Sequence, residues 1–398
     1  MARRARKHFI DPNAIQVVHV WNRCIRGMML CGTDPLTKEC REYRREWSRD
    51  KLAHLAGIFA IEVLTYAIMS NHTHQVLRSR PDIARTWTPE SVARRWLMLT
   101  PKVDRAGQII EPTAEQIQSI TDNPELVQKL RLRLSDISFW MKSYAHYIAV
   151  RANGEDEVEG HFWQGRFKAH VLVDEASILR CMLYVDLNPI RAGMANSIQE
   201  SDYTGAKDRL DDLRIHVATN QDDCIRLSFT AGTDTAHWER LDHQHSGWLS
   251  PIQIDSRLSE AARHHDRSDL LDSQLNGAVP DPAGLHSSQQ NDTMDGGTIH
   301  NPSVSRPRRV SGRGALRIPL AKYLLMLDLV GRQQREGGSG FIPDTVVPVL
   351  EQMNIEPLGF AESICMFGRL FKTKIHPKPT KKTDSQKTHS PQCAVLTS

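Results

Sequence analysis

The stretch Tyr66-Ala-Ile-Met-Ser-Asn-His-Thr-His74 decides the reading of this chain. Its first half continues an apolar run that begins at Phe59 and reads as a strand, and Ser70-Asn71 supplies turn chemistry. A further strand-like run follows to Leu77. Alternate strand residues share a face, so His72 and His74 project together while Thr73 points away. Two neutral imidazoles side by side can chelate one divalent ion. Taken alone, the pair reads as well as two surface histidines at a strand start.

Outward from this stretch the pattern is strand, helix, strand, strand. Ile15-Gln-Val-Val-His-Val-Trp-Asn-Arg23 is rich in β-branched and aromatic residues and reads as a strand. Pro35 to about Gly57 has helical spacing. This order predicts an α+β sandwich, an antiparallel sheet with helices on one face. From Pro81 to about Arg133 the chain is polar and helical, with Thr88-Pro-Glu-Ser a helix start. Leu134 to Arg151 reads as an amphipathic helix, Ala169 to Val173 as a short strand. Glu175 to about Leu187 reads as a helix capped by Asp174. We expect the α+β domain to span residues 10–213, with a helical insertion at about 81–133. Residues 257–314 are dominated by Ser, Asp, His, Gln, Gly and Pro and read as a disordered linker. Apolar periodicity returns over 318–372 as a small helical module.

Composition bounds the partners. The 398 residues are 40% hydrophobic with a formal net charge of +4, and basic residues concentrate before Lys51 and between Arg306 and Arg317. Basic arms favour a polyanion, because each neutralised phosphate releases counterions; a solvated surface explains them equally well. Seven scattered cysteines without a Cys-x-x-Cys pair indicate neither a zinc ribbon nor a disulfide framework. With no apolar stretch of about 18 residues and no signal-peptide pattern, we expect a cytoplasmic chain without a membrane partner.

Two more segments carry chemistry. In Tyr184-Val-Asp-Leu-Asn188-Pro189, Tyr184 and Asn188 stand one helical turn apart near a helix end. A phenol there could reach a phosphorus while the amide helps hold a metal. Tyr184 could equally be core, and Asn188 a helix terminator before Pro189. In Gly160-His-Phe-Trp-Gln-Gly-Arg-Phe-Lys168, Phe162 and Trp163 could stack on bases, with Gln164, Arg166 and Lys168 as further DNA contacts. Such a loop also resembles a hydrophobic hairpin edge.

In this order the three segments resemble the REP-associated tyrosine transposases, a single-tyrosine branch of the HUH transposases. The resemblance covers residues 10 to 210 and includes Tyr184-Val-Asp-Leu-Asn-Pro-Ile-Arg-Ala-Gly193. It implies a ferredoxin-like HUH fold, with His72, His74 and Asn188 binding Mg²⁺ or Mn²⁺. It also implies that Tyr184 attacks single-stranded DNA, in hairpin-forming repeats, to give a 5′-phosphotyrosine and a free 3′-hydroxyl. One tyrosine gives one cleavage per protomer, so strand exchange implies a homodimer. Thr73 departs from the bulky apolar residue usual between the histidines, and the stretch from His74 to Tyr184 is long for the family. Tyr144 and Tyr147 are rival nucleophiles without a metal-type residue four positions on. Two other functions stay open: a domesticated, non-mobile hairpin-DNA-binding protein of the same fold, and a replication-initiator-type HUH nickase.

Overall fold

Every residue of Ile61–Ile68 is buried, although this strand lies at the edge of its sheet. The computed structural model that shows this describes residues 10–25, 29–33, 38–105, 109–219, 246–253, 309–334 and 340–353. In chain order the elements are β1 (Val17–Arg23), α1 (Arg44–Ile58), β2 (Ile61–Ile68), β3 (His72–Ser79), α2 (Pro81–Thr86) and α3 (Pro89–Leu97). Next come β4 (Lys102–Val103), β5 (Ile109–Ile110), α4 (Ala114–Thr121), α5 (Pro124–Arg133), α6 (Ile137–Glu155) and β6 (Lys168–Leu172). α7 (Glu175–Asp186), α8 (Asn188–Arg191), α9 (Gly205–Thr219) and α10 (Leu320–Arg332) complete the set.

The central sheet has the order β2-β3-β1-β6, every neighbour antiparallel. Pairing partners share a face, so one face carries His72, His74, Val76 and Arg78 of β3 beside Arg23, Trp21, His19 and Val17 of β1. Helix α7 packs on this face, where Thr65 donates to Asp186 at 2.6 Å. The opposite face meets α6, whose Trp140 indole N–H donates to Gln75 at 2.8 Å. Helices thus cover both faces, which corrects the one-sided sandwich expected from sequence. The reason lies in β2 and β3, which are apolar or buried at nearly every position and need cover on both sides.

The exposed edge that β2 would offer is closed by its own chain. Ser250 N–H donates to the Val63 carbonyl at 2.9 Å, Ile68 N–H to Tyr203 at 3.1 Å, and the Arg209 guanidinium to the Leu64 carbonyl at 2.6 Å. These bonds satisfy backbone groups that an open edge leaves unpaired. Gly205 lets α9 come so close to β2 that a Cβ there would collide with Thr65.

Residues 81–133 hold α2 to α5 and the β4–β5 ribbon; the helices pack on one another, and Val92, Ala93, Val127 and Leu130 join the main core. The two-stranded ribbon has no counterpart in the expectation of a purely helical insertion.

The domain does not close at residue 213. Trp248 and Leu249 join the main core, and α10 docks on α7. Tyr323 donates to the carboxylate of Asp186, and Arg191 donates to the Val330 carbonyl at 2.6 Å. Residues 309–314, the end of the expected linker, form a strap over the sheet. There Arg78 donates to the Gly314 carbonyl at 2.9 Å, and Ser311 bonds to Glu62, which is buried between Arg78 and Arg80. Residues 257–308 of the expected linker, and 335–339 and 354–372 of the expected module, lie outside the described residues.

Candidate active site

The strand geometry that puts His72 and His74 on one face also brings in a histidine from the neighbouring strand. His74 pairs with Trp21 in register, His72 with Arg23, and His19 lies one step along β1 on the same face. The His19 Nε2 to His74 Nδ1 separation is 2.9 Å. The two rings are nearly coplanar, at 21°, with centroids 5.1 Å apart. Adding roughly 1.1 Å from each ring centre to its nitrogen accounts for that separation, so the rings meet end to end with the direct geometry of an N–H···N bond. On the other side, the His72 Nδ1 lies 2.8 Å from the Asn71 Oδ1.

The His72 and His74 rings are 4.9 Å apart and nearly perpendicular, at 85°. Two imidazoles sharing one ion through bonds of about 2.1 Å would place their centroids about 4.6–5.3 Å apart, so the spacing fits. Burial and the neighbouring His19 and His72 push His74 down to about 2; burial and Arg23 push His72 down to about 4; burial and His170 push His19 down to about 4. All three are therefore neutral at physiological pH, the form that ligates.

Tyr184 reaches this cluster from α7. Its ring meets His74 edge-on at 5.7 Å and His19 at 6.1 Å. It is 45% exposed, open to a substrate. The rival Tyr144 is fully buried on the far side of the sheet and its phenol is pushed up by burial; Tyr147 packs against Trp47 and Lys51. Tyr184 is the one of these three that faces the histidines.

Helix α7 ends at Asp186 with Leu187 as its cap, and Asn188 opens the short helix α8. The Leu187 N–H bonds the Leu183 carbonyl, Arg191 N–H bonds Leu187, and the turn continues as α8 with Pro189 in its first positions. Tyr184 and Asn188 so remain a turn apart. The Asn188 side-chain nitrogen is buried without a hydrogen-bond partner. No hydrogen bond joins Asn188 to His72 or His74. Among the described residues, no three His, Cys, Asp or Glu side chains are grouped to hold a metal ion. The donor set that would fit an ion is the two imidazoles; Asn188 stands one turn beyond Tyr184. Nitrogen donors of this kind suit Mn²⁺ better than the oxygen-seeking Mg²⁺.

The aromatic-basic loop divides. Phe162 is buried, and Trp163 packs edge-on against it while its indole N–H donates to the Ala145 carbonyl at 2.8 Å. The expectation that Phe162 stacks on bases is corrected, because its ring is fully buried in the core, whereas Trp163 is half-buried and ties the loop to α6 through its indole N–H. Gln164, Arg166 and Lys168 are exposed. Lys168 pairs with Trp21, which pairs with His74, so it lies in the same row across the site face. Arg23, opposite His72, is exposed as well. His19 and Arg23 went unmarked in the sequence because their proximity depends on which strands pair. The alternation of His19 and Trp21 in β1 was the available signal.

No family model matches the sequence, and no curated protein matches it. Among solved structures, a REP-associated tyrosine transposase bound to a REP hairpin shares 12% identity with this chain at a TM-score of 0.26. The overlap covers 59% of this chain and 96% of that one.

Proposed function

We propose that this chain cuts and rejoins single-stranded DNA through a covalent phosphotyrosine at Tyr184, on a sheet we read as the ferredoxin-like HUH type. One observation carries the reading: a half-exposed tyrosine set edge-on to a buried cluster of neutral histidines. The order of motifs that resembles the single-tyrosine HUH transposases supports it. His72 and His74, with Asn188 nearby, would hold Mn²⁺ or Mg²⁺.

An ordinary phenol, with a pKa near 10, is a weak nucleophile at neutral pH. A cation bound there would neutralise and polarise the scissile phosphate. The protein's own part is to position. Helix α7 fixes the Tyr184 oxygen on the site face, and Lys168, Arg166 and Arg23 offer cationic contacts for phosphates on that side. The phenolic oxygen forms a bond to phosphorus as the bond to the 3′ oxygen breaks, giving a 5′-phosphotyrosine and a 3′-hydroxyl. Reversal of that step on another end rejoins the strand without a nucleotide cofactor.

The test is incubation with Mn²⁺ and a labelled library of single-stranded hairpins. Wild type yields a covalent protein–DNA adduct that Tyr184→Phe does not. An adduct undiminished in Tyr184→Phe, or none from wild type, sinks the proposal. A second reading is hairpin-DNA binding by the same fold without chemistry. Chelator-insensitive binding with no cleavage would establish it in place of the first.

A further inference from the structure

His74 has two ring nitrogens, and a neutral imidazole carries its proton on only one. The 2.9 Å contact with His19 occupies Nδ1. If His19 donates in that contact, His74 must carry its proton on Nε2 and has no lone pair there for a ligand. If His74 donates, Nε2 is bare. The neighbouring His72 shows the same arrangement with a partner that has no such choice: the Asn71 amide oxygen, 2.8 Å from the His72 Nδ1, can only accept. His72 therefore holds its proton on Nδ1 and leaves Nε2 bare.

We propose that His19 is a positioning residue whose Nε2 accepts the Nδ1–H of His74, fixing the tautomer in which His74 Nε2 is free to ligate. The proposal rests on the metal-site reading above. His19 is suited to the task because it is itself held: its ring packs on Trp21 at 4.8 Å and meets the Tyr184 ring at 6.1 Å. It also lies opposite His170 of β6, so its backbone is fixed in the sheet from both sides. Asn71 and His19, one at the turn before β3 and one on the neighbouring strand, thus set both histidines in the same form. Partners of this kind fix ring orientation and donor basicity, and their loss typically weakens metal affinity about 10- to 100-fold.

The test uses the full chain with ¹⁵N-labelled histidine. Long-range ¹H–¹⁵N correlation of the metal-free protein, with His74 assigned from the signals that disappear in His74→Gln, reports the tautomer directly. The expected spectrum has His74 protonated at Nδ1 and bare at Nε2; protonation at Nε2 overturns the proposal whatever the metal titrations show. Calorimetric Mn²⁺ titration then compares variants. His19→Leu should bind about 10- to 100-fold more weakly than wild type. His19→Gln, whose amide oxygen can accept the same proton, should restore most of that affinity. Equal affinity for wild type and folded His19→Leu overturns the proposal. Equal affinity for wild type and His72→Ala would instead overturn the metal reading beneath it, and the tautomer spectrum tells that failure from a failure of the His19 assignment.

Discussion

Trp163, Arg166 and Lys168 sit close together along the chain, yet their removal should act on different quantities. Arg166 and Lys168 are exposed cations beside the site. Taking away one cation that touches a phosphate lowers the salt dependence of single-strand binding by about 0.7 in slope. Fluorescence anisotropy across a salt series should show that drop, with weaker binding, in Arg166→Ala and Lys168→Ala; an unchanged slope in both would remove the loop from the DNA path. Trp163→Ala should leave the slope alone and cost about 2–4 kcal/mol in urea denaturation, because the ring is packing and its N–H is bonded to Ala145. A second contrast concerns His54 on α1, pushed down to about 4 by burial and by Lys51. Between about pH 6.5 and pH 4 the unfolded chain takes up a proton there that the folded chain refuses, so this group removes stability as pH falls. His54→Gln should therefore gain on wild type across that window, by up to about 1 kcal/mol per pH unit. A gap that stays constant with pH would contradict it. At this scale the sequence is legible where spacing is local: two positions for His72 and His74 on a strand, four for Tyr184 and Asn188 on a helix. It is silent on His19, whose partner lies across a strand pairing, and it misleads on Phe162, because an aromatic in a basic loop looks alike whether it faces bases or the core.

Elements follow their caps. Asp174 accepts from the Ser177 N–H, and Thr88 from Ser91, at the helix starts read from sequence. Local signals fail where tertiary contacts decide. The helix expected from Pro35 begins at Arg44, whereas the helix expected over Glu175 to about Leu187 does end at Asp186, and Pro189 falls in the first turn of the separate α8, where it lacks only an N–H that the first helical positions do not use. What holds α7 in place is also tertiary. Asp186, one helical position past Val185 and fully buried, accepts from Thr65 of β2, from the Ala206 N–H at 3.1 Å, and from Tyr323 of α10. Asp186→Ala leaves those three donors buried without an acceptor, a loss of about 3–5 kcal/mol. Because Tyr184 lies two residues before Asp186, the same change should lower adduct formation even at temperatures where the variant is folded. Urea denaturation and the covalent-adduct assay read the two effects separately; a variant as stable as wild type would mean that the network does not anchor the helix.

For the whole molecule, the consequence of the late-sequence contacts is that the α+β unit is not self-sufficient. The antiparallel sheet and its flanking helices are readable from the order of strand and helix patterns, but the boundary near residue 213 is not. It is obscured because the segments that complete the unit are short, at 246–253 and 309–316, and lie at either end of a long polar tract. They nevertheless cover the β2 edge and meet the carboxylate of Glu62, which stands buried with Arg78 and Arg80. A chain ending at residue 213 would lose Ser250 from Val63, Ser311 from Glu62, the Gly314 carbonyl from Arg78 and Tyr323 from Asp186. It would also expose a fully buried edge strand, which is a template for pairing with other chains. The expected outcome is a stability at least about 3 kcal/mol below that of the full chain, from buried charge and polar groups left unpaired, together with concentration-dependent association. Urea denaturation and analytical ultracentrifugation of chains ending at 213 and at 359 make the comparison. If the shorter chain is monomeric and as stable as the longer, the late segments are accessories, and the compact unit ends where the sequence pattern places it.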